Sequence, residues 1–90
     1  MFLEYYEGED RKVCNNEDDV IRTKEECKEA LSELAKQMNI HKHTYWEGKK
    51  KNIPAGCSIR LQNKRLHFNT QPGFGKGRKG QIPICRGKVN

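Results

Sequence analysis

The sequence is poor in apolar side chains and has no long run of them. Hydrophobic residues make up 33% of the 90-residue chain, against roughly 45 to 50%, counted with Gly, in typical globular domains. No segment approaches the ~18 consecutive apolar residues that a membrane span needs, so we expect no insertion into a membrane. The length predicts a single domain, residues 1–90, with a core too small to stabilise the fold by itself.

The sequence also lacks closely spaced cysteines. Its four cysteines are Cys14, Cys27, Cys57 and Cys85, whereas structural zinc sites usually take two ligands from one tight turn, as C-x2–4-C. We therefore expect no metal ion and no cofactor, and the even number favours two disulfides, with four free buried thiols as the alternative. A disulfide closing about 30 residues contributes on the order of 3 to 4 kcal/mol, which is comparable to the whole stability of so small a domain.

No secretory signal and no N-x-S/T acceptor are visible. The opening residues, MFLEYYEGED, contain no apolar stretch of the kind a signal requires, although disulfides indicate an oxidising compartment. Two explanations stay open: a signal that was removed, with Met1 as an artificial start, or oxidation without classical export, as in some viral particles. The predicted location is extracellular or in a viral particle.

Acidic residues are almost missing after residue 33. Residues 1–33 hold eleven of the twelve acids and five cations, a net charge of −6, whereas residues 34–90 hold thirteen cations and only Glu47, a net charge of +12. The two parts could neutralise each other on folding. The chain as a whole still carries +6, which favours an acidic protein surface or another polyanion as partner, with nucleic acid also possible.

The clearest secondary structure is one helix in TKEECKEALSELAKQM. Its apolar residues recur at helical spacing and form a single stripe, consisting of Cys27, Ala30, Leu31, Leu34, Ala35 and Met38. Thr23 and Glu26 match a capping box, which predicts that the helix begins near Thr23.

Alternating apolar residues in CSIRLQNKRLHFNT predict a β-hairpin. A two-residue turn at Asn63-Lys64, or a four-residue loop in the same register, would pair Leu61 with Leu66 and Ile59 with Phe68 on an apolar face. The other face is then polar and basic: Ser58, Arg60, Gln62, Arg65, His67 and Asn69.

The remaining segments are less regular. MFLEYY reads as a short strand, and QIPIC as a strand in which Pro83 indicates a sheet edge or the strand's start. Residues 39–55 show no period and predict a loop with Trp46 packed on the core and with solvated histidines at positions 41 and 43.

Two cysteine pairs follow from these elements. Cys27 on the helix stripe and Cys57 at the start of the hairpin's apolar face both point inward, which predicts the bridge Cys27–Cys57 and leaves Cys14–Cys85. The expected fold is α+β, with one amphipathic helix on a small antiparallel sheet that contains a central hairpin.

No catalytic constellation is visible, and we expect no enzyme. The stretch PGFGKGRKGQIPIC contains four glycines but no Gly-Lys-Ser/Thr, and too little chain follows for a dinucleotide-binding unit. It is either a plain surface loop or an anion-binding loop with Lys76, Arg78 and Lys79. Because its glycines limit local rigidity, we expect any order in it to come from outside.

Several short sequence motifs resemble those of a known type of module. They are Cys14, Glu25-Glu26-Cys27, Pro54-Ala55-Gly56-Cys57, Phe68-Asn69 and Ile84-Cys85-Arg86. Together they resemble a small cysteine-rich module found in predicted proteins of algae and other protists, over residues 4–87. The resemblance implies disulfides and a compact α+β unit but no established activity, and the chain departs from it at Pro83, where relatives tend to have a further cysteine.

These observations favour a non-enzymatic binding or structural module. We expect a small basic subunit of a larger extracellular or particle assembly that contacts an acidic partner, and a nucleic-acid-binding protein is the alternative. The candidate binding residues are the cations and the histidine of the basic part: Lys49, Lys50, Lys51, Arg60, Arg65, His67, Lys76, Arg78 and Lys79.

Overall fold

The computed structural model describes residues 3–89, with side chains for residues 4–87. The elements in chain order are β1 (Leu3–Glu7), a 3-10 turn (Glu17–Asp19), α1 (Lys24–Leu34), β2 (Thr44–Gly48), β3 (Gly56–Arg60), β4 (Arg65–Asn69) and β5 (Gln81–Val89). The strands form one sheet in the order β1-β5-β3-β4-β2, in which β2 runs parallel to β4 and the other neighbours are antiparallel. The fold is therefore α+β, with one helix on a mixed five-stranded sheet.

The apolar stripe of α1 packs on one side of the sheet, here called the inner face. Cys27, Ala30, Leu31 and Leu34 are buried, and Ala35 and Met38 pack against the same core from beyond the helix end. Alternate residues of β3, β4 and β5 complete this core: Cys57, Ile59, Leu66, Phe68, Ile82 and Ile84. The predicted stripe is confirmed, and its burial holds the helix on the sheet.

The predicted start of α1 is confirmed, but only half of the capping box forms. The Thr23 hydroxyl accepts a hydrogen bond from the Glu26 amide at 3.2 Å. The Glu26 carboxylate does not return to Thr23, because it accepts hydrogen bonds from Arg86 and from the Tyr5 hydroxyl. This acid therefore joins the helix to β1 and β5 rather than capping its own helix.

The helix ends in a turn that uses a left-handed residue. Asn39 has φ 57°, and the Ile40 amide donates to the Ala35 carbonyl at 2.9 Å. This is the hydrogen-bond pattern of a Schellman motif, in which a residue beyond the helix turns the chain back and satisfies a late carbonyl. Buried Ile40 is the apolar contact that such motifs often contain.

Both predicted disulfides are confirmed. Cys27–Cys57 joins α1 to β3 with a Cα–Cα distance of 5.3 Å, and Cys14–Cys85 joins the segment after β1 to β5 with a distance of 5.8 Å. The second bridge lies in a smaller apolar cluster with Val20, Ala55 and Tyr6. The two bridges therefore brace opposite sides of the sheet.

The hairpin forms, but its predicted register is wrong. Ile59 pairs with Leu66 and Cys57 with Phe68, a shift of two residues from the expected pairs, and Leu61 is 40% exposed in the turn. The turn spans residues 61–64, with Lys64 at φ 52°, and the Asn63 side chain accepts from the Arg65 amide at 3.2 Å. Because the shift is an even number, each side chain keeps its predicted face.

The prediction for residues 39–55 needs correction, and the structure decides between the two alternatives given for Pro83. Residues 39–55 are not all loop, since they contain β2, and the sheet is mixed rather than antiparallel for that reason. β5 is not at a sheet edge, because β1 and β3 pair with it on its two sides. Pro83 is tolerated near the start of β5 because its nitrogen faces the side of β1, which ends at Glu7; there the Gly8 amide donates to the Pro83 carbonyl at 2.7 Å.

The opposite side of the sheet, here called the outer face, is more enclosed than expected. Ser58, His67 and Asn69 are buried, and the Ser58 hydroxyl accepts from the side-chain amide nitrogen of Gln81 at 2.8 Å. Only part of the predicted polar, basic face is thus open to solvent, and Arg60 and Arg65 lie in that part with intermediate exposure.

The glycine-rich segment, residues 72–80, is ordered from within the chain, contrary to the expectation that order must come from outside. Gly75 packs on residues 53–55, where a Cβ atom would lie 2.4 Å from the Ala55 nitrogen, and at Gly77 it would lie 2.0 Å from the Arg11 carbonyl oxygen. Hydrogen bonds link the Ala55 amide to the Phe74 carbonyl and the Lys76 amide to the Ile53 carbonyl. Gly75 and Gly77 therefore serve close backbone approach.

Candidate functional site: a basic patch on the outer face

Five side chains on the outer face form a patch that we call the basic patch: Trp46, Lys50, Arg60, Arg65 and His67. Parallel pairing places Trp46 of β2 beside His67 of β4. Antiparallel pairing places Arg60 of β3 opposite Arg65 of β4. The period of two along a strand points these residues to the same side, and Lys50 joins them from the segment after β2.

Trp46 lies against two other members of the basic patch. Its ring lies 5.1 Å from the His67 ring, centroid to centroid, and the Lys50 ammonium nitrogen lies 5.0 Å from its centroid. A Cβ atom at Gly48 would lie 2.5 Å from the Trp46 ring, so glycine makes room for the indole. Trp46 thus packs against the sheet on one side and carries a cation over its ring.

A buried asparagine fixes the backbone that carries Lys50. The Asn69 side chain accepts from the Lys50 amide at 2.9 Å and donates to the Lys50 carbonyl at 2.8 Å. The same side chain donates to the Pro54 carbonyl at 3.0 Å. The lysine run at positions 49–51 is therefore held at its centre, because both polar backbone groups of Lys50 form hydrogen bonds to Asn69.

The cations of the basic patch bond to neutral groups. Arg60 donates to the Gln62 side-chain oxygen at 3.2 Å, and Arg65 donates to the Thr44 hydroxyl at 3.4 Å. Among the side chains of residues 4–87 the only ion pairs are Arg22 with Glu17 and Arg86 with Glu26. The positive charge of the patch is therefore not compensated by a carboxylate in contact with it.

The pKa of His67 reflects its burial and these nearby positive charges. Burial lowers the pKa of His67, and the nearby charges of Arg65, Lys50 and Arg60 lower it further, although a hydrogen bond to the Arg65 carbonyl opposes the shift. Since a carbonyl can only accept, the ring nitrogen Nδ1, 3.2 Å from that oxygen, carries the proton. At neutral pH the ring is uncharged, so it contributes packing and a polar group to the patch.

The other predicted binding residues lie on exposed loops. They are Lys49, Lys51, Lys76, Arg78 and Lys79. Backbone hydrogen bonds anchor the glycine-rich segment at two places: the Lys76 amide donates to the Ile53 carbonyl, near the lysine run, and the Leu61 amide donates to the Gly80 carbonyl, beyond Arg60. The structure thus gathers Lys50, Arg60, Arg65 and His67 in one patch, and the remaining cations lie on exposed loops next to the patch in sequence or anchored to segments that border it.

Acidic residues concentrate elsewhere. α1 carries exposed Glu25, Glu29 and Glu33, and a cleft of about 360 Å³ between α1, β1 and β5 is lined by Glu4, Tyr5, Asp19, Glu26, Arg86 and Gly87. There the Tyr5 hydroxyl donates to the Glu29 carboxylate at 2.8 Å. Burial raises the pKa of Tyr5, and the neighbouring carboxylates of Glu29 and Glu26 raise it further. In the described chain only one ion pair, Arg86 with Glu26, joins the acidic residues 1–33 to the basic part. Ion pairs therefore do not neutralise the two parts.

Sequence reasoning missed Trp46 as a member of the site and Asn69 as a support of it. Trp46 was expected on the core and Asn69 on an open polar face, whereas both depend on β2 lying beside β4. The aromatic and β-branched letters of TYWEG were the available signal for a strand. Nothing local indicated that its partner would be β4.

Searches of protein-family models, of curated proteins and of solved structures find no match to this chain. The resemblance to the cysteine-rich module therefore stays a prediction. Within residues 3–89 no helix is both long and apolar enough to cross a membrane, and no cluster of three or more metal-ligating side chains occurs in the same range.

Proposed function

We propose that the protein is a non-enzymatic binding module whose basic patch contacts an acidic surface of a partner protein. One observation carries the proposal: Lys50, which lies over the Trp46 ring, and the paired Arg60 and Arg65 share one face of the sheet without a contacting carboxylate in the described chain. Placing like charges together costs free energy in the isolated protein. An acidic partner would reverse that cost and gain charge-assisted hydrogen bonds.

Nucleic acid is the second candidate, because proteins that bind single strands combine cations with exposed aromatic rings. The geometry favours an acidic protein over it. Lys50 lies over the Trp46 ring, and His67 packs beside the same ring, so a base could stack on the indole only after the lysine had moved. Carboxylates need no such displacement, since they would bind the cations where they are.

The proposed setting is an extracellular or particle assembly in which this chain is a small basic subunit. Two disulfides fit an oxidising environment of the extracellular type. A viral particle is one such assembly, and the choice between it and a secreted complex depends on the source of the protein. Purification from that source under non-reducing conditions at low salt, followed by mass spectrometry of co-purifying chains, would test it.

The binding proposal is tested with two probes, poly-glutamate and single-stranded DNA, in the variant Lys50→Gln/Arg65→Gln. We expect poly-glutamate binding to weaken by about 5- to 30-fold, from roughly 0.5 to 1 kcal/mol for each lost contact. The matched control Lys24→Gln/Lys36→Gln removes the same charge from α1 and the turn after it, and should lose little. Equal losses in the two variants would mean that net charge, and not the patch, causes binding.

The salt dependence separates the two candidates. Nucleic-acid binding weakens linearly in log–log form, with a slope set by the number of phosphates contacted. If DNA binds more tightly than poly-glutamate, and if the patch variant lowers that slope by about one for each lost cation, the nucleic-acid candidate replaces the acidic protein. If neither probe binds at low salt, the proposed function is wrong.

A second comparison decides whether the surrounding loops take part. Neutralising Lys76, Arg78 and Lys79 together should weaken binding more than tenfold if the glycine-rich segment belongs to the site, with little change in stability, because these side chains are exposed. The companion variant neutralises Lys49, Lys50 and Lys51. A loss in the companion alone would restrict the site to the β2 side of the patch.

A further inference from the structure

The edge strand β2 offers backbone groups that no described residue uses. The Thr44 amide donates to the Lys64 carbonyl, and the Gly48 carbonyl accepts from the Thr70 amide, so these residues direct their backbone groups toward β4. Because successive residues of a strand point these groups to opposite sides, the amides and carbonyls of Tyr45 and Glu47 point away from the sheet. β2 is last in the strand order, and such an edge can accept another strand.

Cations are arranged along this edge. Lys42 precedes β2, and the lysine run 49–51 follows it. On the outer side Arg65 donates to Thr44, and on the inner side the Lys28 nitrogen lies 4.7 Å from the centroid of the Tyr45 ring. The carboxylates near the strand are Glu47, which accepts from the Tyr45 hydroxyl, and Glu25.

This charge pattern selects among possible occupants of the edge. In a second copy of the chain that paired antiparallel with all five residues of β2, Lys42 of each copy would face Lys50 of the other. Cations directly opposite each other destabilise a strand pair. An extended segment rich in Asp and Glu would instead place carboxylates among these cations.

We propose that an acidic extended peptide of the partner adds to the edge of β2 as a sixth strand. This inference rests on the proposed function and specifies how the acidic partner binds. Backbone hydrogen bonds to Tyr45 and Glu47 supply part of the affinity, and side chains supply the specificity. The added strand places alternate residues on the outer side, and those beside Lys50 and Arg65 are acidic.

The sharpest variant is Glu47→Pro. It removes an outward amide that the β2–β4 ladder does not use, and proline is tolerated at such edge positions. It also removes a negative charge, which by itself favours an acidic peptide. We therefore expect Glu47→Pro to weaken binding at least tenfold, while the matched control Glu47→Gln, with the same charge change and an intact amide, binds as well as or better than the wild type.

The probe is a synthetic nine-residue peptide with Glu and Val alternating. A second peptide of the same sequence carries an N-methyl group on every backbone amide, so that its charge is unchanged but neither of its edges can pair as a strand. Isothermal titration calorimetry at low salt compares them, and non-reducing mass spectrometry together with circular dichroism confirms that each variant keeps its disulfides and fold. Should Glu47→Pro lose its fold, the peptide pair on the wild type is still decisive.

Strand addition is supported if N-methylation of the peptide and Glu47→Pro each reduce affinity at least tenfold while Glu47→Gln does not. If both peptides bind equally and Lys50→Gln/Arg65→Gln still weakens binding, strand addition is wrong and the proposed function stands. If neither peptide nor poly-glutamate binds, both are wrong. A dimer of the free protein, detected by analytical ultracentrifugation and abolished by Glu47→Pro, would show that β2 pairs with a second copy instead.

Discussion

Asn69 bonds to both polar backbone groups of Lys50, accepting from its amide and donating to its carbonyl. The same buried amide nitrogen donates to the Pro54 carbonyl, so that one β4 side chain fixes the connection between β2 and β3. The position of Lys50 over Trp46 therefore depends on a residue that carries no charge and is only 1% exposed.

Asn69→Ala is expected to lower the free energy of unfolding by about 2 to 4 kcal/mol, because it leaves several backbone groups without partners in a buried place. Urea unfolding measures this change. The control is Asn52→Ala, at an exposed position in the same connection, and it should stay within about 0.5 kcal/mol. Poly-glutamate binding of folded Asn69→Ala should also weaken, and unchanged affinity would mean that Lys50 does not need this support.

The hairpin gives a second test through its two leucines. Leu66 is buried opposite Ile59, and Leu61 lies in the turn. Leu66→Ala should cost about 2 to 4 kcal/mol of stability, whereas Leu61→Ala should cost no more than about 0.5 kcal/mol. Equal costs in urea unfolding would restore the register in which Leu61 pairs with Leu66.

Two glycines of the glycine-rich segment separate steric from conformational effects. At Gly77 a methyl group would clash with the Arg11 backbone, and at Gly73 it would meet nothing within 4 Å, although φ is +73°. Gly73→Ala should therefore cost about 1 to 2 kcal/mol from the left-handed conformation alone. Gly77→Ala should lower the stability more, because the added methyl group fits only if the backbone at Arg11 or Gly77 moves. Thermal unfolding of both variants would contradict this packing if Gly77→Ala were the milder change.

His67 predicts how stability depends on pH. Folding lowers the pKa of His67 below its usual value near 6.5, so the unfolded chain binds a proton more readily than the folded one. The stability is then complete above about pH 6.5 and decreases as the pH falls below it toward the folded-state pKa. Urea unfolding between pH 7.5 and 5.5 should show this decrease.

His67→Gln should flatten that pH dependence, whatever its effect on absolute stability. His43→Gln, at an exposed position, serves as the control and should keep the slope of the wild type. A decrease that persists in His67→Gln would have to come from other groups, and the burial of His67 would then not be its cause.

The helix and the disulfides were predictable because local rules and core geometry agree there. The stripe from Cys27 to Leu34 needs only the period of the helix, and the cap needs only Thr23 and its neighbours. Cys27 and Cys57 each point inward by the period of their own element, so their pairing follows once α1 packs on the hairpin.

The candidate site was only partly predictable, because it depends on contacts between distant segments. The cations themselves are evident in the sequence, but β2 pairs in parallel with a strand some twenty residues later, and no turn signal marks such a pair. The close approach of Gly77 to Arg11 is likewise a relation between segments. A Gly-rich stretch is compatible with a mobile loop or with tight packing, and only its neighbours decide which occurs.

Leu3 and Val89 are partners in the pairing of β1 with β5, so the described chain enters and leaves the fold at neighbouring points. Adjacent strands lie roughly 5 Å apart, about the separation of the two ends of a tight surface loop. The unit could therefore be inserted into a surface loop of a host protein without separating the two ends of that loop. In such a fusion the β2 edge, at the far end of the strand order, would stay turned away from the points of attachment.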